Sequence, residues 1–485
     1  MFAPATGSRS RMALTTLALA LFSSGLAAQV VQQSAPRLLD LHTTSEATKT
    51  AFRAALSEQF NLAGAPRIRA AAARAVAADT SFALARVYQA FVGPGTGPER
   101  AQTITSMLPA LANASAAELL LATAWRESAA GRAAVYQEIL RSVTNLAPDD
   151  SAIAYAYWIT QRTGKTPAER VAAGRDFEKR FPSFAPTYNQ LAYDLQAAGD
   201  AEGARAQIDQ YVKLAPMQPN GLDTYAEILS LQGRWQEAMA KARAVIAMDS
   251  AWAGTAAGYL RLGIIQTAMG DGAAARASFA RRNEIVPSDA TRLSTAQWTA
   301  ITYVVAGDRA GAMRELANVM SIAQTANNAA QLAGTHQMMA VVEAFLGDKN
   351  AAAGHLKAGE TGRPTVGRAE VEAIVYSRIG DVASTRTAVA EVRSLIAPTN
   401  LAVHTFNALL AATENDQATA SRELADAPND DLFANALRAD MLAKQGKSTE
   451  AAALRKQVAA SPVNAIGNAT VDALRVLAHL QVTRQ

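Results

Sequence analysis

One pattern occurs twice between residues 186 and 250, and this duplication limits the possible folds more than any other feature. In each copy, apolar residues recur three and four positions apart along two short stretches, which is the spacing of one helical face. Shifting the first copy by 34 residues carries Gly199 onto Gly233 and Ala204 onto Ala238. The sequence therefore predicts a unit of two short amphipathic helices joined at a glycine.

The glycine recurs farther along the chain, at Gly270, Gly307, Gly347 and Gly380. We expect each glycine to end one helix in the left-handed conformation, and the aspartate that usually follows to cap the next helix. A small residue stands five positions after most of these glycines, where two paired helices cross most closely. The members of this alanine series are Ala204, Ala238, Ala275, Ala312 and Ala352. Asn415 and Gly446 continue the pattern more weakly, while Glu169 interrupts it in the unit before residue 186.

A period near 34 residues with this pattern resembles the tetratricopeptide repeat. The resemblance is best over 186–357, and it implies an all-α fold, a right-handed α-α superhelix of helical hairpins. We expect a signal peptide over 1–28, diverged helical repeats over 29–150, the repeat array over 151–460, and a capping helix over 461–485. We further expect residues 29–43 to be a flexible lead-in.

The signal-peptide prediction depends on two arginines, Arg9 and Arg11, followed by an apolar run from Met12 to Phe22. Small residues precede the expected cleavage near Ala27–Gln29. The run is shorter than the roughly 20 residues that cross a bilayer, and no later segment is long enough. These features predict a periplasmic or secreted protein with no transmembrane segment after cleavage.

Composition excludes several kinds of chemistry. The absence of cysteine rules out disulfides, thiolate metal sites and a cysteine nucleophile. The net charge of +4 over 485 residues is too small and too dispersed to predict a nucleic-acid partner. The five histidines lack partners three or four positions away, so we expect neither a metal nor a cofactor. They are His42, His336, His355, His404 and His479.

One fragment suggests catalysis. Glu127-Ser128 resembles the catalytic glutamate motif of soluble lytic transglycosylases, which implies a general acid acting on a glycosidic oxygen. The Gly-Leu-Met-Gln motif that follows in that family is missing here. We therefore expect Glu127 to be an exposed helical glutamate, and the protein not to be an enzyme.

A second stripe on the first helix of each unit supplies the candidate binding residues. In tetratricopeptide proteins this stripe lines the concave groove that holds a peptide or helix, and here it changes from polar and acidic to apolar. It includes Asn189, Tyr193, Asp223, Glu227, Gln297, Ile301, Gln337 and Val341. Two interpretations remain open: a groove for a segment with a basic and a hydrophobic end, or tighter curvature that buries Leu260, Ile264, Ile301 and Val341.

The resulting hypothesis is a non-enzymatic scaffold that binds a protein or peptide partner in its concave groove, in envelope assembly or secretion. The alternatives are a glycan-active enzyme that uses Glu127, and a structural or oligomeric spacer. The sequence leaves the oligomeric state open.

Overall fold

The structure is a computed structural model that describes residues 35–249, 257–360, 365–396, 400–429, 431–460, 478 and 480–482. Over these ranges the regular elements are 24 α-helices and one 3-10 helix, without a β-strand element. Helices adjacent in the chain pack side by side as hairpins, and each hairpin packs on the next. The predicted all-α array of helical hairpins is confirmed. The predicted signal peptide lies outside the described residues.

The N-terminal region contains six α-helices and the 3-10 helix. They are α1 (Glu46–Phe60), α2 (Ala65–Ala78), α3 (Ala83–Phe91), α4 (Gly97–Met107), the 3-10 helix (Leu108–Leu111), α5 (Ala116–Ala129) and α6 (Ala133–Leu146).

The array that follows begins with four hairpins. They comprise α7 (Ser151–Thr160), α8 (Pro167–Arg180), α9 (Ala185–Ala197), α10 (Ala201–Leu214), α11 (Pro219–Leu231), α12 (Trp235–Met248), α13 (Ala257–Ala268) and α14 (Gly272–Ile285).

Five more hairpins complete it. They comprise α15 (Asp289–Ala306), α16 (Arg309–Thr325), α17 (Ala329–Leu346), α18 (Lys349–Ala358), α19 (Val366–Ile379), α20 (Val382–Leu395), α21 (Ala402–Thr413), α22 (Gln417–Asp426), α23 (Leu432–Lys444) and α24 (Ser448–Ala460).

The turn inside each hairpin is built as predicted, with one exception. Gly307 ends α15 with φ 75°, and the Asp308 side chain accepts a hydrogen bond from the Gly311 amide at the start of α16. Gly199, Gly233, Gly270, Gly380 and Gly446 likewise have positive φ. Gly347 does not, since its φ is −144°. A Cβ at Gly347 would collide with the Arg309 and Glu343 side chains, so any larger residue there would force this ion pair to shift.

The helix crossings are also as predicted, because all five members of the alanine series are fully buried. Glu169 departs from the series because α8 begins one residue later relative to its glycine. Glu169 forms a capping box with Thr166 at the start of that helix. In this hairpin Trp158 stacks on Phe177, with 5.1 Å between ring centroids, so aromatic side chains fill the space between α7 and α8.

The expectation of a flexible lead-in is wrong for the part of it that the structure describes. Leu39 and Leu41 are buried in the N-terminal core. The Arg37 amide donates to the Asp149 carboxylate at 2.9 Å, and the His42 amide donates to Glu118 at 2.9 Å. The segment therefore lies extended against the N-terminal helices, because its two leucines need a place in the core.

Two large hydrophobic clusters occupy the ends of the array, one over residues 39–153 and the other over 300–480. Smaller clusters connect them through the middle hairpins. Most of the predicted capping helix lies outside the described residues. Of its end, Ala478 and Leu480 are helical and fully buried in the C-terminal cluster.

Candidate functional site

The predicted groove residues lie on the first helices of their hairpins, but they differ in accessibility. The acidic pair, Asp223 and Glu227 on α11, is buried rather than free to bind a basic segment. Arg261 on α13 donates to both carboxylates, with its Nη2 2.7 Å from Glu227 Oε2 and its Nε 3.1 Å from Asp223 Oδ1. The acidic end of the stripe therefore already holds a cation of the same chain.

Tyr193 extends this cluster to a third hairpin, since its hydroxyl donates to Glu227 Oε2 at 2.9 Å. Burial raises the pKa of both Tyr193 and Glu227. Burial opposes the charge on Arg261, but Asp223 and Glu227 outweigh it and raise its pKa. The sequence holds a signal for this cluster, because Tyr193, Glu227 and Arg261 follow one another at intervals of 34 residues.

The apolar end of the stripe is buried too. Ile301 on α15 and Val341 on α17 belong to the hydrophobic clusters, as does Ile264 on α13. Burial against neighbouring helices is therefore the interpretation that holds for these residues, and they offer no apolar groove lining. Three other predicted positions, Tyr193, Gln297 and Gln337, are half-buried, and Asn189 is buried.

A more accessible site forms where the N-terminal region meets the array. The ring of Phe60, the last residue of α1, lies 5.4 Å from that of Tyr155. Just beyond the helix, the backbone carbonyl of Asn61 accepts from the Tyr211 hydroxyl at 3.3 Å. Gln218 Nε2 donates to Glu58 Oε1 at 3.3 Å. The end of α1 therefore lies against the turns that precede α9 and α11.

These segments enclose a cavity of about 360 Å³, the junction cavity. It is lined by Ser57, Asn61, residues 183–186 and residues 214–218. Asn61 Oδ1 and Gln218 Oε1 are buried and have no hydrogen-bond partner. Both atoms are acceptors, so a group that satisfies them must donate hydrogen bonds.

Large apolar side chains are exposed beside this cavity. Met217 contributes to its lining and is 74% exposed. Leu62, next to Asn61 in the chain, is 57% exposed and has φ 54°, a left-handed conformation that is unfavourable for leucine. The exposed apolar residues and the unpaired buried acceptors together make this cavity a candidate binding site. Sequence reasoning missed this site because it joins segments more than 120 residues apart.

Glu127 is neither exposed nor suited to be a general acid. Its side chain is buried and forms ion pairs with Arg126 and Arg132. The hydrogen bond from Arg132, together with that from Arg126, outweighs burial and holds the pKa of Glu127 at about 2. A carboxyl group with this pKa is ionised at neutral pH and has no proton to give a leaving group.

Two histidines that are 19 residues apart in the sequence meet in the hairpin of α17 and α18. The Nδ1 atoms of His336 and His355 are 3.2 Å apart, and burial together with His355 lowers the pKa of His336. His404 pairs with Glu423 at 2.8 Å, while His479 lies outside the described residues. Within the described ranges, no three His, Cys, Asp or Glu side chains are grouped as a metal site would require.

Among the helices described, none is both long and apolar enough to cross a membrane.

Comparisons with solved structures find distant similarities. Cut9-Hcn1 from the APC/C hetero-tetramer aligns with a TM-score of 0.45 and 14% identity, covering 84% of this chain and 72% of that one. A monomeric mutant of IFIT1 with Gppp-AAAA aligns with a TM-score of 0.45 and 12% identity, covering 81% and 97%. A tetratricopeptide repeat protein from Parabacteroides merdae aligns with a TM-score of 0.30 and 13% identity, covering 61% and 98%. No protein-family model and no curated protein matches the sequence.

The chain's own features determine the description of its fold. It has a 34-residue period in its best units, hairpins of short helices, left-handed glycines between them and buried alanines at their crossings. In fold, the chain is a tetratricopeptide-like array of helical hairpins.

Proposed function

We propose that the protein is a scaffold that binds an extended segment of a partner protein at the junction cavity. The observation that carries this proposal is the pair of unpaired buried acceptors, Asn61 Oδ1 and Gln218 Oε1. A buried polar atom without a partner is costly, and two such atoms beside one cavity make that cavity the candidate site.

The lining indicates the chemistry of the partner. Its walls include Phe184, Pro186 and Leu214, which favour an apolar side chain. The two amide oxygens favour N–H donors, such as a peptide backbone, lysine or asparagine. The volume of about 360 Å³ equals that of roughly a dozen liquid waters, so it accommodates more than one bridging water.

An anionic ligand fits this lining poorly. The unpaired atoms are acceptors, and the nearby carboxylate of Glu58 lies 3.5 Å from Arg67, which already balances its charge. A phosphate group would therefore meet oxygen atoms and find no free cation in the lining. Protein rather than nucleic acid is the favoured partner.

Photo-crosslinking tests where the partner lies. We would replace Met217 by p-benzoylphenylalanine in the full chain and, as a matched control, Leu146, which is 48% exposed away from the cavity. We expect a discrete crosslinked partner from position 217 and none from position 146. The same products from both positions would contradict the proposal.

A peptide array tests the chemistry. Extended peptides with a central leucine, methionine or phenylalanine should bind best when lysine or asparagine flanks it, and worst when aspartate does. Gln218→Leu removes one acceptor and should reduce binding about tenfold, the effect of one lost hydrogen bond at this scale. The exposed Gln102 provides the control substitution, Gln102→Leu. Equal binding by Gln218→Leu and wild type would refute the assignment of the site.

The compartment is part of the same proposal. The arginines and the apolar run at the start of the sequence support export, and the role that we propose for the exported protein is in envelope assembly or secretion. Cell fractionation with N-terminal sequencing tests this: we expect extracytoplasmic protein that begins near Gln29. Cytoplasmic protein that retains residues 1–28 would rule the compartment out.

A further inference from the structure

A second cavity, with hydrogen-bonding character opposite to that of the junction cavity, lies between α3 and α4. Its volume is about 300 Å³, which corresponds to roughly ten liquid waters. We call it the arginine cavity, because Arg86 from α3 and Arg100 from α4 both line it. The apolar part of its lining comprises Ala90, Pro94 and Met107.

The two arginines bring hydrogen-bond donors to this cavity that the chain itself leaves unused. Among the side chains that the structure describes, neither Arg86 nor Arg100 has an acidic partner in an ion pair. Arg100 Nη1 donates to the carbonyl of Gly95 at 2.5 Å, but Arg100 Nε is buried and has no hydrogen-bond partner. A guanidinium nitrogen only donates, so the group that satisfies this atom must be an acceptor.

The loop before α4 holds the backbone of Arg100 in place. Thr96 and Glu99 form a capping box at the start of that helix. A Cβ at Gly97 would collide with the carbonyl of Ala129, so the loop packs tightly on the end of α5. The backbone that carries Arg100 is therefore fixed before a ligand binds, which reduces the entropic cost of binding.

The charges of the lining favour an anion with a single charge. Of the described residues that line the cavity, Arg86 and Arg100 are cationic and Glu99 alone is anionic, which gives a net charge of +1. Glu99 Oε2 accepts from the backbone amide of Thr96 at 2.6 Å, so this carboxylate is directed to the start of α4. A carboxylate would match the guanidinium donors and the single net charge, while a phosphate dianion would exceed that charge.

We infer that the arginine cavity binds a carboxylate carried by a short apolar chain, with Arg86 and Arg100 as its hydrogen-bond donors. The apolar chain packs on the apolar part of the lining. A free carboxylic acid and an acidic protein side chain share this chemistry, and the experiment distinguishes them. The arginine cavity shares no lining residue with the junction cavity, so the inference is independent of the function proposed above.

The probe is butanoate, and its affinity for the full chain is measured by saturation-transfer NMR. Wild type should bind butanoate and should not bind butylammonium. Gln89→Glu adds a carboxylate to the lining at an exposed residue and should weaken butanoate binding about tenfold through repulsion. Gln102→Glu makes the same change at an exposed residue of α4 outside the lining, and it should leave the affinity unchanged.

A second pair of variants tests the arginines. Arg86→Met should weaken butanoate binding about tenfold, because it removes one charged donor. Arg74→Met is the control, since Arg74 is an exposed residue of α2 outside the lining. Gln218→Leu, which alters the junction cavity, should not change butanoate binding, so the two proposals can fail separately.

A peptide identifies the source of the carboxylate. If acetyl-Ala-Glu-Ala-amide displaces butanoate, the cavity accepts an acidic protein side chain, and if it does not, the ligand is a free acid. Three results would overturn the inference. Equal affinity of wild type, Gln89→Glu and Arg86→Met would place butanoate elsewhere, and equally effective displacement by inorganic phosphate would show a general anion site. Absence of saturation transfer with wild type would mean that Arg100 Nε donates to bound water only.

Discussion

Glu127 and Asn61 are both buried polar residues, but their surroundings differ in a way that decides how each should be interpreted. Both carboxylate oxygens of Glu127 are bonded by arginines. Asn61 Oδ1 has no partner, although the amide nitrogen of the same side chain donates to Ser57. A satisfied buried group stabilises the fold, whereas an unpaired acceptor at a cavity is a position to which a ligand or a bound water can donate.

The first prediction concerns Glu127 as a structural residue. Glu127→Gln should lower the free energy of unfolding by about 1.5–3 kcal/mol, because it removes charged hydrogen bonds from a buried position. Urea denaturation measures this, with Glu138→Gln as the control, since Glu138 forms an exposed ion pair with Arg141. A loss no larger than that of the control would show that the ion pairs contribute nothing.

The same residue predicts a pH dependence. The pKa of Glu127 is lowered from 4.5 to about 2 in the folded protein. Its contribution to stability is therefore fully present above about pH 4.5 and is lost as the pH falls toward 2. Denaturation of wild type and Glu127→Gln should converge over this range, and a difference that persists at pH 2 would contradict the assignment.

At the scale of the helix pair, the glycines of two consecutive hairpins have different structural roles. Gly307 supplies a left-handed helix end, while Gly347 leaves room for the ion pair between Arg309 and Glu343, whose Nε and Oε2 are 2.9 Å apart. Both glycines look alike in the sequence, since each precedes an aspartate that caps the next helix.

The second prediction separates steric crowding from conformation. Gly347→Ala should destabilise the protein by about 1–3 kcal/mol, because the new methyl group forces the ion pair to shift. Gly354→Ala is the matched control: Gly354 lies within α18 with open space around it, and alanine there should stabilise by about 0.5–1 kcal/mol. Thermal melts compare the two, and equal effects would show that crowding at position 347 is unimportant.

The helix pairs are also where the sequence was most informative. Hinge glycines, capping aspartates and buried alanines depend on contacts within one hairpin, so a local pattern predicts them. Glu169 interrupts the alanine pattern, as the sequence indicated, because one extra residue before α8 shifts the register of that helix. The role of Arg261 and the junction cavity were missed because they depend on contacts between separate hairpins. Such contacts are set by how the hairpins pack on one another, and the residue spacing within a single hairpin does not reveal them.

Across the whole molecule, ionic contacts connect the middle hairpins, where the hydrophobic clusters are small. The cluster of Tyr193, Glu227 and Arg261 joins α9, α11 and α13 through the middle of the array. The hydrophobic clusters there have far fewer members than those at the two ends. In a repeat protein, stability depends on such contacts between neighbours.

The third prediction tests this connection. Arg261→Met leaves two carboxylates buried without a cation and should lower the free energy of unfolding by about 3–5 kcal/mol. Amide hydrogen exchange should rise together in α9, α11 and α13. Arg281→Met, which breaks an exposed pair with Glu284, should change stability by less than about 1 kcal/mol. Exchange confined to α13 would argue against coupling among the three hairpins.

The extended segment at residues 37–42 has a consequence for how the chain folds. Most of the array is built from near neighbours, and such proteins fold by growth from one unit to the next at low contact order. The bond from Arg37 to Asp149 instead spans 112 residues of sequence. The N-terminal core can therefore close only after α6 has been made, and we expect this loop closure to be slower than the pairing of neighbouring helices.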